Sequence, residues 1–238
     1  MPGIFLQRRV IRQWLGVETH DVSHAERWVA GLGAFAGILA TAWISSRYLS
    51  VGDSWLMVGS MGASAVLLFA VPHGQLSQPW AATGGQLISA AVGVSCAQWI
   101  PMPVLAAAAA VSLAVLAMHY ARCVHPPGGA TALIAVIGGP SIHALGYAYV
   151  VTPVMLNTLT ILIMAFIFNN LFRWRRYPAV LQQHILPASA PHDRQVERQD
   201  VAYALRQIDS PIDATEDDLL EIIHRAEAHA RERHGRDS

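Results

Sequence analysis

From Trp28 to Phe172 the only Arg, Asp or Glu residues are Arg47, Asp53 and Arg122, and lysine is absent from the whole chain. A domain dissolved in water needs a charged shell, and ordinary soluble domains draw about 25% of their residues from Asp, Glu, Lys and Arg. Here that share is 13%, against 53% hydrophobic residues, and most of it lies outside the apolar stretch. Such segregation excludes a soluble globular fold and makes the lipid bilayer the partner of residues 28–176. The formal net charge is zero and no basic stripe suggests nucleic acid. Cys96 and Cys123 lie in apolar surroundings and read as packing residues, since two cysteines make no disulfide framework.

In lipid, backbone polar groups must be satisfied inside the protein, so the apolar segments are read as helices. The first, 28–46, is long enough for a ~30 Å hydrocarbon core. Gly31, Gly33 and Gly37 give it a small-residue face. The second, 55–71, is split by Gly59 and Gly62 and followed by an uncharged loop from Pro72 to Pro79. The third, 80–100, carries Gln86 and Gln98, which are costly to show to lipid and should face helices or a cavity. Pro101 and Pro103 turn the chain into an Ala-rich fourth segment, 104–118. The fifth, 129–138, is short. The last, 145–172, is long enough to tilt or to kink at Pro153, with Asn157 and Thr160 as interior polar positions.

One stretch inside this apolar region is built to break a helix: His125-Pro126-Pro127-Gly128-Gly129-Ala130-Thr131. The prolines remove two backbone donors, and the glycines leave the backbone bare. Irregular backbone at membrane depth is tolerated where protein covers it or where it lines a polar cavity. The stretch has an echo. Gly129-Ala130-Thr131-Ala132-Leu133-Ile134 aligns with Gly62-Ala63-Ser64-Ala65-Val66-Leu67, an offset of 67 residues. Paired, Gly/Pro-interrupted hydrophobic segments in two halves of a membrane protein point to a transporter's binding site. Shared membrane packing of small residues is the competing explanation.

His-Pro-Pro-Gly-Gly-Ala-Thr-Ala-Leu resembles the HPP family of integral membrane proteins, named for its tripeptide. Residues 62–69, with Pro72-His73 and Gln78-Pro79, are similar to that family's first block. The likeness covers roughly residues 25–175. It implies a link to nitrite transport, as in plastids and cyanobacteria, with many members uncharacterised. Family members often carry a longer cytoplasmic regulatory domain after the membrane region.

The expected fold is all-α: a polytopic membrane helical bundle with two broken half-helices in a pseudo-repeat, plus a short helical cytoplasmic tail. Residues 1–27 form a basic arm, 28–176 the transmembrane domain (halves about 28–100 and 101–176), 177–195 a linker and 196–238 the tail. The arm reads either as a disordered leader or as a short interfacial helix, and no cleavable signal peptide is evident. Thr215-Glu216-Asp217-Asp218 looks like a capping box opening a tail helix. Arginines in the arm and after the last segment place both ends in the cytoplasm of a bacterial inner membrane by the positive-inside rule. An even number of crossings follows. Six would give inverted three-segment repeats, and four would give parallel repeats with re-entrant broken segments.

Half-helices starting at about Gly62 and Gly129 would aim unpaired N–H groups and a partial positive charge at one site. Anions bind such ends. Ser64 and Thr131 would add hydroxyls, and His125, Pro126, Pro127 and Gly128 would shape the break. Arg122 reads as a steering charge or as an interfacial anchor, and His125 as a donor, a proton carrier or a helix-break residue. His73 has a weaker claim. His119 and Cys123 stand four apart but make a poor metal site. Ser64 and Thr131 have no evident base, which argues against an enzyme. The expected activity is transport of a small inorganic anion, nitrite first, with no cofactor or metal. A membrane sensor or scaffold signalling through the tail is the alternative. Self-association is left open.

Overall fold

The computed structural model describes residues 22–47, 51–181, 219–220 and 222–224, with backbone only for 51–58. The chain divides into two compact units, one of residues 25–187 and one of residues 1–24 with 188–238. In the second unit the described residues 219–220 and 222–224 are helical, as expected for the tail, whereas the proposed capping box at 215–218 lies outside the described residues.

The first unit is a helical bundle: α1 (His24–Ser45), α2 (Val51–Ala70), α3 (Pro79–Trp99), α4 (Pro103–Tyr120), α5 (Pro127–Ile137), α6 (Pro140–Leu145) and α7 (Leu156–Asn170). A 3-10 turn, Gln75–Ser77, joins α2 to α3, and a π-helical segment, Val150–Met155, leads into α7. Proline does the punctuation. α3, α4, α5 and α6 each begin with proline at the first helical turn. There its fixed φ suits the helix, and its missing N–H would have had no partner. Inside a helix the same residue disrupts: at Pro153 the preceding Thr152 leaves the helical region, with φ −129° and ψ 108°.

Contacts between distant residues give the direction of each segment. Glu26, at the start of α1, pairs with Arg175 beyond the end of α7. Arg175 also donates to the carbonyl of Phe69 at the end of α2. The start of α3 lies at this same end, where Trp80 Nε1 donates to the Ala121 carbonyl after α4 at 3.2 Å. At the opposite end Ser45, closing α1, accepts from Asn157 near the start of α7 at 2.8 Å. Gln98 meets Gly146 there, after α6. The segments α1, α2, α3, α4, α5 and the Val150–Asn170 rod therefore alternate in direction, with Glu26 and Arg175 at one end of the bundle; α5, at 11 residues, covers only part of that length. α2 and α5, which carry the two echoed stretches, run in opposite directions.

The polarity of the bundle is inverted relative to a soluble protein. α1 turns Leu32, Phe35, Leu39 and Trp43 outward and buries Gly33, Gly37, Thr41 and Ser45. Gly33 and Gly37 are where Phe69 lies: an added Cβ would stand 2.5 Å and 2.6 Å from its ring. Gly31, expected on the same face, has open space beside it. α4 buries Ala106, Ala110, Ala114 and Met118 and shows Val104, Leu105, Leu113, Val115 and Leu116. α1, α4 and Val150–Asn170 are each long and apolar enough to cross a membrane. Exposed Trp80 and Trp99 bracket α3. At 1.5 Å per residue they stand roughly 28 Å apart, about the thickness of a hydrocarbon core.

Two expectations are corrected. α2 runs through Gly59 and Gly62 without a break, so no half-helix starts at Gly62. A single glycine costs a helix about 1 kcal/mol but keeps its N–H, and α2 contains no proline to stop it. The linker also does not begin at residue 177. Tyr177 is buried and its hydroxyl donates to the Ser77 carbonyl at 2.8 Å. Ala179 N–H donates to Gln78 Oε1 at 3.0 Å.

The tie between Glu26 and Arg175 holds three helix ends together. Arg175 Nε and Nη2 reach Asn169 Oδ1 at 3.1 Å and 3.0 Å, and Trp174 Nε1 donates to Glu26 Oε2 at 2.9 Å. Burial pushes the guanidinium pKa down from its ordinary value, while the Glu26 carboxylate pushes it up. Removing one partner of a buried pair strands the other charge, typically at a cost of ~3–5 kcal/mol. Glu26→Gln should therefore lower the detergent-solubilised protein's unfolding temperature markedly, while Arg27→Gln, at an exposed neighbour, leaves it within a degree or two. Thermal unfolding of both variants checks this.

Candidate functional site

The site grows from a row of small residues on α3. Gly85, Ser89 and Gly93 follow one another at four-residue intervals and are all buried. α5 packs against them backbone to backbone. A Cβ on Gly93 would stand 2.5 Å from the Ala132 carbonyl oxygen, and one on Gly128 would stand 2.6 Å from Ser89 Oγ and 2.9 Å from the Gly85 oxygen. A Cβ on Gly85 would stand 2.6 Å from His125 Cβ. Small residues permit such approach in a membrane bundle. Here they let the His-Pro-Pro break seat itself inside the bundle instead of on its surface.

His125 is fully buried there. Its Nδ1 lies 2.8 Å from the Leu76 carbonyl, which can only accept, so Nδ1 carries the proton in the neutral ring. Nε2 then accepts from Ser64 Oγ on α2 at 2.9 Å. Gln86 Nε2 donates to Ser64 Oγ at 3.2 Å. Thr131 Oγ1 donates to Gln86 Oε1 at 2.5 Å. Ser60 Oγ lies 2.6 Å from Thr131 Oγ1 and 3.2 Å from the Pro127 carbonyl, and donates to either. The Tyr149 hydroxyl, just before the π segment, donates to the Thr131 carbonyl at 3.1 Å. The hydroxyls, amide and imidazole thus form one chain with one donor direction, from Ser60 to Leu76.

Ser64 and Thr131 are the echoed positions of the two Gly-Ala-Ser/Thr stretches. The carboxamide of Gln86 bridges them, donating to one and accepting from the other. Of the residues expected at the site, His125, Ser64, Thr131, Pro127 and Gly128 meet in this buried cluster. Gly62 has open space around a Cβ, and Gly129 comes no closer than 3.9 Å to Val111. Pro126 is exposed. Arg122 is exposed too, and takes no part in the cluster. It ends α4 with φ 53°, and Cys123 N–H closes back on the Met118 carbonyl at 2.9 Å, the arrangement in which glycine is usual. His73 Nε2 bonds the Arg176 carbonyl at 3.1 Å, a structural tether. His119 is exposed while Cys123 is buried, so these two do not converge.

Two chemical expectations change. The first N–H groups of α5 are not bare. Gly128 N–H donates to the His125 carbonyl at 2.8 Å and Gly129 N–H to the Pro126 carbonyl at 3.0 Å, because Pro126 is already in the α region and tightens the first turn. Ser64 also does have a base beside it, His125. Ser60 and Gln86 were the residues missed. Ser60 stands one turn before Ser64 on the same face of α2, and Gln86 follows the Gly84-Gly85 pair that lets α3 approach the break.

At the end opposite Glu26 and Arg175 a cleft of about 330 Å³ opens among α3, α4, α5 and α6. Gln98, His143, Pro101 and Pro103 line it, together with Val94 and Ala135. Ala135 is one turn of α5 beyond Thr131.

The HPP transmembrane region family matches residues 19–178. Two proteins of Dictyostelium discoideum, each named only as a transmembrane protein, are similar. One is 40% identical over 69% of this chain and 59% of its own length; the other is 37% identical over 62% and 53%. The chain thus spans little more than half the length of these relatives. No solved structure matches it significantly.

Glycine spacing at the break gives a sharp contrast. Gly128→Ala should disturb the α3–α5 contact and cost about 1–3 kcal/mol by overpacking, whereas Gly129→Ala should be neutral or stabilising by about 0.5–1 kcal/mol. Parallel thermal unfolding of the two variants would expose equal behaviour, which would contradict the packing described. In the same assay Arg122→Gly should stabilise by about 1 kcal/mol, since a non-glycine residue pays for the left-handed conformation.

Proposed function

We propose that this chain, which belongs to the HPP family of integral membrane proteins, carries a small inorganic anion across the bilayer, with nitrite the first candidate. The observation that carries the reading is the bridge from Ser64 through Gln86 to Thr131, buried where α2, α3 and α5 meet and ending on His125. Uncharged polar side chains also join helices in membranes, but an ionisable residue such as His125 inside the bundle is expensive and marks a solute pathway by default. The opposite directions of α2 and α5, which carry the echoed stretches, suit the alternating access of an inverted repeat.

The centre binds by hydrogen bonds without a committed charge. Among the described residues the only buried Arg, Asp or Glu side chains are Glu26 and Arg175, which pair with each other. Ser60, Ser64 and Thr131 supply O–H donors, and Gln86 supplies N–H. A site of this kind suits a small, weakly held, monovalent solute and permits its release. In this reading the cleft beside Gln98 and Ala135 is the entrance on one side. The cytoplasm would lie at the end of Glu26 and Arg175, where the exposed Arg173 and Arg176 follow α7. An enzyme reading of the Ser64–His125 pair is less favoured. A nucleophile of that type needs N–H groups for the developing oxyanion, and Gly128 and Gly129 direct theirs into their own turn. The reading invokes no metal or cofactor.

Nitrite uptake into proteoliposomes, with nitrate, formate, chloride and urea as competitors, tests this. Saturable uptake is expected, reduced at least tenfold in Gln86→Leu while the variant stays monodisperse in detergent. Uptake equal to that of protein-free vesicles for all five solutes would reject the transport reading.

A further inference from the structure

We propose that His125 is the proton acceptor of the centre, so that the transported species enters as the weak acid and crosses as an anion paired with an imidazolium. The inference rests on the transport reading above and names the form in which the solute is carried.

The argument starts from hydrogen-bond direction. The Leu76 carbonyl fixes the Nδ1–H tautomer, which leaves the Nε2 lone pair aimed at Ser64. Every donor in the chain points toward that lone pair, and His125 is its one basic site. The groups against His125 are Leu76 O from the 3-10 turn, Ser64 from α2, Gly85 from α3 and the Gly128 N–H from α5, with Gln86 one bond further on at Ser64 and Met118 beside Gly85. The titratable groups nearby are the Cys123 thiol, two residues away and beside Gly84, and the Tyr149 phenol on the Thr131 carbonyl. Neither bears a charge near neutral pH, and Arg122, the nearest arginine in sequence, is exposed. A bare anion entering here would find no counter-charge, and burying one unpaired is expensive. An incoming acid avoids that penalty by supplying the proton that creates the counter-charge.

The step balances. The acid's O–H donates its proton to Ser64 Oγ while the Ser64 hydroxyl proton passes to His125 Nε2. The products are the anion, an intact Ser64 hydroxyl and an imidazolium. Nε2–H then donates to Ser64 Oγ, and the Ser64 hydroxyl turns to the anion. Gln86 Nε2 and Thr131 Oγ1 become further donors once their bonds to Ser64 Oγ and Gln86 Oε1 open. Release on the far side reverses the transfer. No oxidant, reductant or metal takes part, and the pair crosses without net charge.

The test uses the full chain in proteoliposomes containing a trapped pH dye, with membrane potential set by potassium and valinomycin. Nitrite and formate are the probes, and protein-free vesicles report passive acid leak. The expected result is protein-dependent uptake with one proton per anion, indifferent to imposed potential. In His125→Gln it should fall at least tenfold and lose its rise toward acidic pH. Uptake that follows the potential without proton movement would overturn the proposal. A second measurement separates it from the transport reading: nitrogen-15 histidine spectra of the protein in lipid, with His125 assigned by difference against His125→Gln. The neutral Nδ1–H form should dominate at pH 7.5, and nitrite should raise the imidazolium fraction at constant pH. If no probe crosses but that shift appears, transport fails and the proton site stands. If nitrite leaves the His125 signal unchanged, the proposal fails whatever the flux.

Discussion

A helix bundle with lipid on its outside must satisfy its polar groups from within, and the remaining features follow from how this one does so. Backbone groups are satisfied in helices, as expected where water is absent. The side chains are handled by concentration rather than by exclusion. Ser60, Ser64, Gln86, His125 and Thr131 are gathered into one row in which each donor has an acceptor. In a low-dielectric setting such a row is strong when complete and costly when a member is lost. The same setting explains the glycines and alanines of α3, α4 and α5. With no solvent to drive apolar surfaces together, close backbone contact supplies the attraction, and only small residues permit it.

Within this frame the two ends of the bundle differ. One end is tied by Glu26, Arg175, Asn169 and the Phe69 carbonyl, and by Tyr177 on Ser77. The other end opens into the cleft beside Gln98 and His143. Asn157 shows a subtler asymmetry near that end. Its amide donates to Ser45, but its Oδ1 is buried without a hydrogen-bond partner among the described residues. Counting 67 residues on from Gln86, the offset of the echoed stretches, reaches Pro153, beside the non-helical Thr152. At that offset the position that carries the bridging amide in α3 falls on a helix break before α7.

Much of the plan was legible in the chain itself. Charge segregation gave the membrane, the Pro-Pro-Gly-Gly run gave the break, and the echo singled out Ser64 and Thr131, which meet only through Gln86. The failures have physical causes. Gly62 looked like a break because glycine is a poor helix former, yet it retains its N–H, and packing outweighs so small a penalty. The N–H groups before Gly129 looked free because the α-helical convention leaves four unpaired, whereas Pro126 in the α region allowed a tighter turn to satisfy two of them. Arg175 looked like an orientation signal, and its place in the interior depended on Glu26, which is 149 residues away in sequence. Gln86 was seen as a polar residue that needed company, but sequence carries no information on which hydroxyls would provide it.

The separation of Glu26 from Arg175 also bears on how the protein is made. Glu26 is synthesised before α2 to α7, and its guanidinium partner follows only when α7 is complete. Through most of translation the carboxylate has to remain at the lipid–water boundary, where it stays hydrated. Near the top of α1 it can do so without crossing the hydrocarbon. Its late capture by Arg175 draws the start of α1 to the end of α7 beside the end of α2. A chain truncated before residue 175 would leave the Glu26 carboxylate without this partner, so that end of the bundle closes only when the last of these segments has been made.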